Sequence, residues 1–133
     1  MELTKTFADC RLVPLRIPGG WIVKHNTFHD EPFRNPDGTL NRFHNDSPDL
    51  LLIRQVRGIV NNQWSDDEKD CLLLDVGWKY LLTPQNTLDK SDGYYKVQLL
   101  RGNFSEGTTL LIEEHKSIAD TIAAVERILM EQG

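Results

Sequence analysis

The chain has only two cysteines, no apolar run of membrane-spanning length and no excess of positive charge. Each lack excludes something. A secreted disulfide scaffold would carry more cysteine, and Cys10 and Cys71 each lie inside an apolar run, so both read as buried free thiols. No stretch approaches the ~18 apolar residues of a membrane span, and Met1 to Asp9 lacks the continuous apolar segment of a signal peptide. The cytoplasm is the expected compartment. Fifteen lysines and arginines stand against twenty aspartates and glutamates, a formal charge of −5. That balance argues against a nucleic-acid binder, which needs a basic footprint, and suits a basic protein partner.

Catalytic signatures are missing too. The chain has no glycine-rich phosphate loop, no serine set between glycines after a strand and no cysteine beside an activating basic motif. His25 and His29 are four residues apart, but in an extended stretch that spacing spans ~13 Å, too far for one ion. His44 and His115 have no ligand-like neighbours. Asp89-Lys90-Ser91-Asp92-Gly93 places its glycine fifth, where a calcium loop needs it sixth, and reads as a turn. We therefore expect no enzyme, no cofactor and no metal.

What is present is a fold. At 133 residues the chain is one domain's worth, able to bury roughly two thirds of its unfolded surface. Asp70 to Tyr80 organises it. Cys71-Leu72-Leu73-Leu74 is apolar on both alternating faces and reads as a central strand, whereas from Leu74 onward Leu74, Val76 and Trp78 alternate with Asp75, Gly77 and Lys79. Before it, Cys10 to Ile17 and Trp21 to His25 read as a hairpin turning at Pro18-Gly19-Gly20, with Pro14 marking an edge or a bend. Asn26 to Ser47 is a long polar loop pinned by Phe28, Phe33, Leu40 and Phe43. Leu50 to Ile53 begins another strand, which either runs on through Val56 to Val60 or breaks at Gly58, and Asn61 to Asp70 is an acidic, amide-rich connection. Thr83 to Gly93 reads as a second polar loop. Tyr94 to Arg101 and Thr108 to Glu114 alternate as a further hairpin.

At Ser117 the pattern changes to helical spacing. Ser117 with Asp120 resembles a capping box, and Ile118, Ile122, Val125 and Leu129, with Ala119, Ala123 and Ile128 alongside, form the apolar face. The expectation is a single α+β domain over 1–133: a mainly antiparallel sheet of about five or six strands with a C-terminal helix packed on one face.

Aromatic residues at strand ends and loop junctions, beside acids, are the anchors a protein interface uses. The expected partner-binding residues are Trp64, Asp66, Asp67, Glu68, Asp70, Asp75, Trp78 and Tyr80. The rival expectation is an enzyme or small-ligand protein with a pocket under the 26–47 loop, lined by His25, His29 and tyrosines.

The run Ile17-Pro18-Gly19-Gly20-Trp21-Ile22-Val23 with Asn26 and Phe28, then Leu50-Leu51-Leu52, Leu74-Asp75-Val76-Gly77-Trp78 and Tyr95-Lys96-Val97-Gln98-Leu99-Leu100, resembles small bacterial immunity proteins of polymorphic and contact-dependent toxin systems. The resemblance implies a cytoplasmic α+β protein, expected to be a monomer, that binds one cognate toxin domain, for instance a basic nuclease domain, and blocks it without chemistry of its own. Such families place their contacts variably, so the resemblance transfers no contact residue.

Overall fold

Alternation, turn residues and one capped helix build the fold. The computed structural model describes residues 10–56, 59–60, 63–64 and 71–132. Among them are seven strands and one helix: β1 Trp21–Asn26, β2 Leu51–Gln55, β3 Ile59–Val60, β4 Gln63–Trp64, β5 Leu72–Leu82, β6 Leu88–Arg101, β7 Thr108–His115 and α1 Ile118–Gln132. Five form one antiparallel sheet in the order β1-β2-β5-β6-β7, and β3 pairs with β4 apart from it. The α+β class, the sheet and the C-terminal helix agree with the sequence reading. So does the centre: β5 is the third of five strands.

Register shows why. Leu74 faces Ile53 on one side and Leu99 on the other, Val76 faces Leu51 and Val97, and Trp78 faces Tyr95. Directly opposed residues share a face, so these make one continuous apolar layer. Val125, Ile128 and Leu129 of α1 join this core, and the helix lies across β6 and β7. Ser117 caps the helix: its Oγ accepts the Asp120 N–H at 3.0 Å. The helical stripe is rotated from the expected one. Thr121 and Ala124 are buried and Ala119 and Ala123 exposed; Thr121 tolerates burial because its hydroxyl donates to the Ser117 carbonyl at 2.8 Å. The helix also covers only one face of β5. Leu73 is buried on the other, opposite Arg54 and Leu100.

Two expectations about the strands are corrected, and one left open is resolved. Residues 10–17 do not pair with β1; Leu12 bridges His29, and Val13 N–H donates to the Phe28 carbonyl at 3.0 Å. Proline at 14 and 18 interrupts any ladder this segment could extend, yet Val13, Leu15 and Ile17 still turn one side to the core. The partner of β1 is instead β2. Of the two readings of Leu50 to Val60 the divided one holds, with β2 ending at Gln55 and β3 holding Ile59 and Val60. The polar loop at 83–93 is mostly strand. A tight turn closes between Thr83 and Thr87, Leu82 faces Leu88, and Lys90, Ser91 and Asp92 bulge out between the Leu81–Asp89 and Tyr80–Gly93 pairs.

The 26–47 loop is held as the aromatic spacing implies. Phe33 lies 4.8 Å from Trp78 and 4.7 Å from His44 between ring centroids, and Phe28 stacks on Tyr95 at 5.6 Å. Asn45 locks its far end: the side-chain oxygen accepts the His29 N–H at 3.0 Å, and the amide donates to the His29 carbonyl at 2.8 Å.

Candidate partner-binding face

The strand period that makes the core also separates the expected interface residues. Asp75 lies on the face of β5 away from α1, while Trp78 and Tyr80 lie on the helix side. Trp78 is a correction: it is 3 % exposed and wedged among Phe33, His44 and Tyr95, and what it lines is a cavity of about 350 Å³ shared with Pro32, Arg34 and Lys116. Tyr80 is half-buried, its hydroxyl 3.3 Å from His44 Nε2. Burial first, then the nearby charge of Asp46, raises the Tyr80 hydroxyl above its ordinary range. Among the other expected residues, Asp66, Asp67, Glu68 and Asp70 lie outside the described residues. The backbone of Trp64 pairs with Ile59 in the small hairpin.

Asp75 lines a different cleft. His25, Asp49, Leu52 and Phe104 form the walls with it, around a space of about 280 Å³. Local structure places each wall. A bulge at Lys24 shifts the register from Val23–Ile53 to His25–Leu52, which aligns His25 with Leu52 and Asp75 across the sheet. Asp49 is fixed through its backbone, the N–H donating to Ser47 Oγ at 3.0 Å and the carbonyl lying 3.0 Å from His25 Nε2. Phe104 sits in the 102–107 turn. Asn103 Oδ1 accepts the N–H groups of Ser105 and Glu106 at 3.1 and 2.7 Å, and Gly102, at φ 95°, donates to the Cys71 carbonyl at 3.0 Å.

This arrangement is electrostatically unfinished. Among the described residues Asp75 has neither an ion-pair partner nor a hydrogen-bond donor. Burial, and secondarily repulsion from Asp49, pushes its carboxyl up to about 6, with Lys79 and Lys96 opposing the shift. A half-buried acid in a cleft, its carboxyl shifted by desolvation and a charged neighbour, is a candidate functional position. Around it the same face carries exposed apolar groups: Phe104 at 59 %, Ile112 at 48 % beside Gln98, and Ile22 at 39 % beside Arg54. Arg54 is itself buried, and its Nη1 has no hydrogen-bond partner among the described residues.

A second cavity, of about 370 Å³, opens beside the 26–47 loop and is lined by Cys10, His29, His44 and Asp46 among others. His25 is not part of it. Its imidazoles are already engaged: His44 Nδ1 lies 2.9 Å from the Asn45 carbonyl and its Nε2 meets Tyr80, while His29 Nδ1 accepts the Glu31 N–H at 3.4 Å. Among the described residues no three of His, Cys, Asp or Glu are grouped to hold a metal ion. None of the described helices is long and apolar enough to cross a membrane.

Phe104 and Asp49 escaped the sequence reading, which set His25 beneath the 26–47 loop instead of beside Asp75. Phe104 stood in a Gly102–Gly107 turn, and an aromatic in a turn, away from any strand pattern, was the available signal. A scan against protein-family models and searches of the curated proteins and of the solved structures return no match.

Proposed function

We propose that this chain is a binding protein of immunity type, acting in the cytoplasm, that occludes a cognate toxin domain by steric block after electrostatic steering. The observation that carries the reading is the cleft at Asp75. It joins an unpaired acid to exposed aromatic and aliphatic groups on the sheet face that α1 leaves free. Such a mixture suits an interface, where an anchor fills a pocket and surrounding apolar contacts exclude water. The acidic balance favours a basic partner and fast association with it.

The test is co-expression and co-purification with the toxin domain encoded beside the gene. A stable complex and rescued growth are expected. Substituting Asp75 by lysine is expected to weaken the complex while Glu126→Lys, on the helix, leaves it intact. Failure to bind or neutralise any neighbouring toxin domain ends the proposal.

The second reading, a small-ligand protein, has the 370 Å³ cavity beside the 26–47 loop in its favour. A ligand there is expected to perturb the His44–Tyr80 contact, so a metabolite screen read by the His44 ring resonances separates the two readings.

A further inference from the structure

The cleft's walls are specific enough to name what enters it. We infer that it takes a guanidinium-bearing side chain of the bound protein, the planar cation lying against Phe104 and Leu52 with its N–H groups on the carboxylate of Asp75. The inference rests on the binding-protein reading for its biological partner, although the chemistry of the cleft can be tested alone.

Charge and shape both narrow the occupant. Asp75 offers two acceptor oxygens and meets no donor among the described residues, and Asp49 adds a second negative charge at the rim. An anion is repelled, and a purely apolar group would bury Asp75 further without satisfying it. A metal ion has only these two carboxylates. The remaining titratable wall, His25, has its Nε2 against the Asp49 carbonyl. Lys79 and Lys96 act on Asp75 from further along the sheet, and neither forms an ion pair with it.

The apolar walls then favour guanidinium over ammonium. Phe104 is an exposed ring held by a turn that Asn103 organises, and Leu52 lies directly opposite Asp75 in register. A planar, weakly hydrated cation can stack on an aromatic face and present a fork of N–H groups to a carboxylate, whereas an ammonium stays strongly hydrated. The cleft of about 280 Å³ accommodates one such side chain with its methylene stem against Leu52.

The experiment is an NMR titration of the full chain with N-acetyl-arginine methylamide, with the neutral citrulline analogue and the lysine analogue as controls. The arginine probe is expected to shift resonances of Leu52, Asp75 and Phe104 and to lower the titration midpoint of the Asp75 carboxyl. Citrulline is expected to do neither. Asp75→Asn should abolish the response and Phe104→Ala should weaken it several-fold, each checked for an otherwise unchanged amide spectrum. Equal responses to citrulline or lysine, an undiminished response in Asp75→Asn, or no perturbation of these residues at the highest soluble probe concentration would overturn the assignment. Toxin neutralisation without probe binding sinks this inference and spares the immunity reading; probe binding without neutralisation does the reverse.

Discussion

Pro48 crosses Gly77 so closely that a Cβ built on the glycine would stand 2.0 Å from the Pro48 carbonyl oxygen and 2.7 Å from its carbonyl carbon. The contact exists because residues 48–49 arch over β5 between two hydrogen bonds, Trp78 N–H to the Ser47 carbonyl and Leu50 N–H to the Val76 carbonyl, both 2.9 Å. A glycine inside a central strand is costly in itself and is kept where another backbone must approach. Gly77→Ala forces backbone to move, with no flexible side chain to yield. A loss of about 3 kcal/mol or more is expected in urea unfolding. Because Asp49 rides on the same arch, the amide resonances of Ser47 to Leu50 should shift with the stability. A loss below about 1 kcal/mol would show that the arch lifts freely.

Asp75 sets a pH dependence whose sign follows from its raised carboxyl. The folded group titrates at about 6 against an ordinary 3.8. Between those values the native state holds a proton that the unfolded chain has released, so this group's contribution makes stability fall as pH rises from about 4 to about 6 and leaves it lower above. Asp75→Asn removes the charge. The variant is expected to be more stable than the parent at pH 8, by an amount on the order of 2 kcal/mol, with the advantage vanishing towards pH 4. Urea midpoints measured from pH 4 to pH 8 check this, and parallel profiles for the two proteins would contradict it. A residue whose removal stabilises the fold is one retained for another purpose.

The helix start offers a cleaner test of local chemistry. Ser117 accepts the Asp120 N–H through its hydroxyl and receives both the N–H and the hydroxyl of Thr121 on its carbonyl. Ser117→Ala removes only the first of these. It is expected to cost about 1 kcal/mol, and Ser117→Asp to restore most of it, since a carboxylate caps equally well and complements the helix dipole. Equal stabilities of the alanine and aspartate variants would show that the cap contributes nothing.

Much of this fold was legible because period-two and helical patterns report burial directly. The apolar block at Cys71–Leu74 placed the sheet's centre, and Ser117 placed the helix start. The same alternation already assigned Asp75 and Trp78 to opposite faces, since they stand three positions apart, an odd offset; reading both as surface put the attraction of an aromatic beside an acid ahead of the period. Pairing was less legible. Proline and glycine at 18–20 mark a turn, but a turn does not say that the chain before it remains in the sheet, and Val13 instead meets Phe28 across the loop. The 88–92 stretch looked like loop because its polar residues fill a three-residue bulge, which interrupts alternation without ending the ladder. The cleft itself combines β1, β2, β5 and the 102–107 turn, elements far apart in sequence, and only the register brings them together.

Asn45 provides the sharpest prediction about the loop. It is almost fully buried, and its amide both accepts from and donates to the His29 backbone, with the Tyr95 hydroxyl 3.4 Å from the same nitrogen. Asn45→Ala removes both side-chain hydrogen bonds to the His29 backbone and should cost about 2–3 kcal/mol. Asn45→Asp separates the two halves of the interaction. A carboxylate still accepts the His29 N–H but turns a second acceptor towards the His29 carbonyl, and burial raises its pKa, so the protonated form alone can donate as the amide does. The folded state of this variant therefore binds a proton more tightly than the unfolded chain, and its stability should fall as pH rises through the raised pKa. Urea unfolding at pH 4 and pH 8 is expected to show Asn45→Asp close to the parent in acid and at least as weak as Asn45→Ala at pH 8. An aspartate variant matching the parent at both pH values would mean that the bond to the His29 carbonyl does not hold the loop.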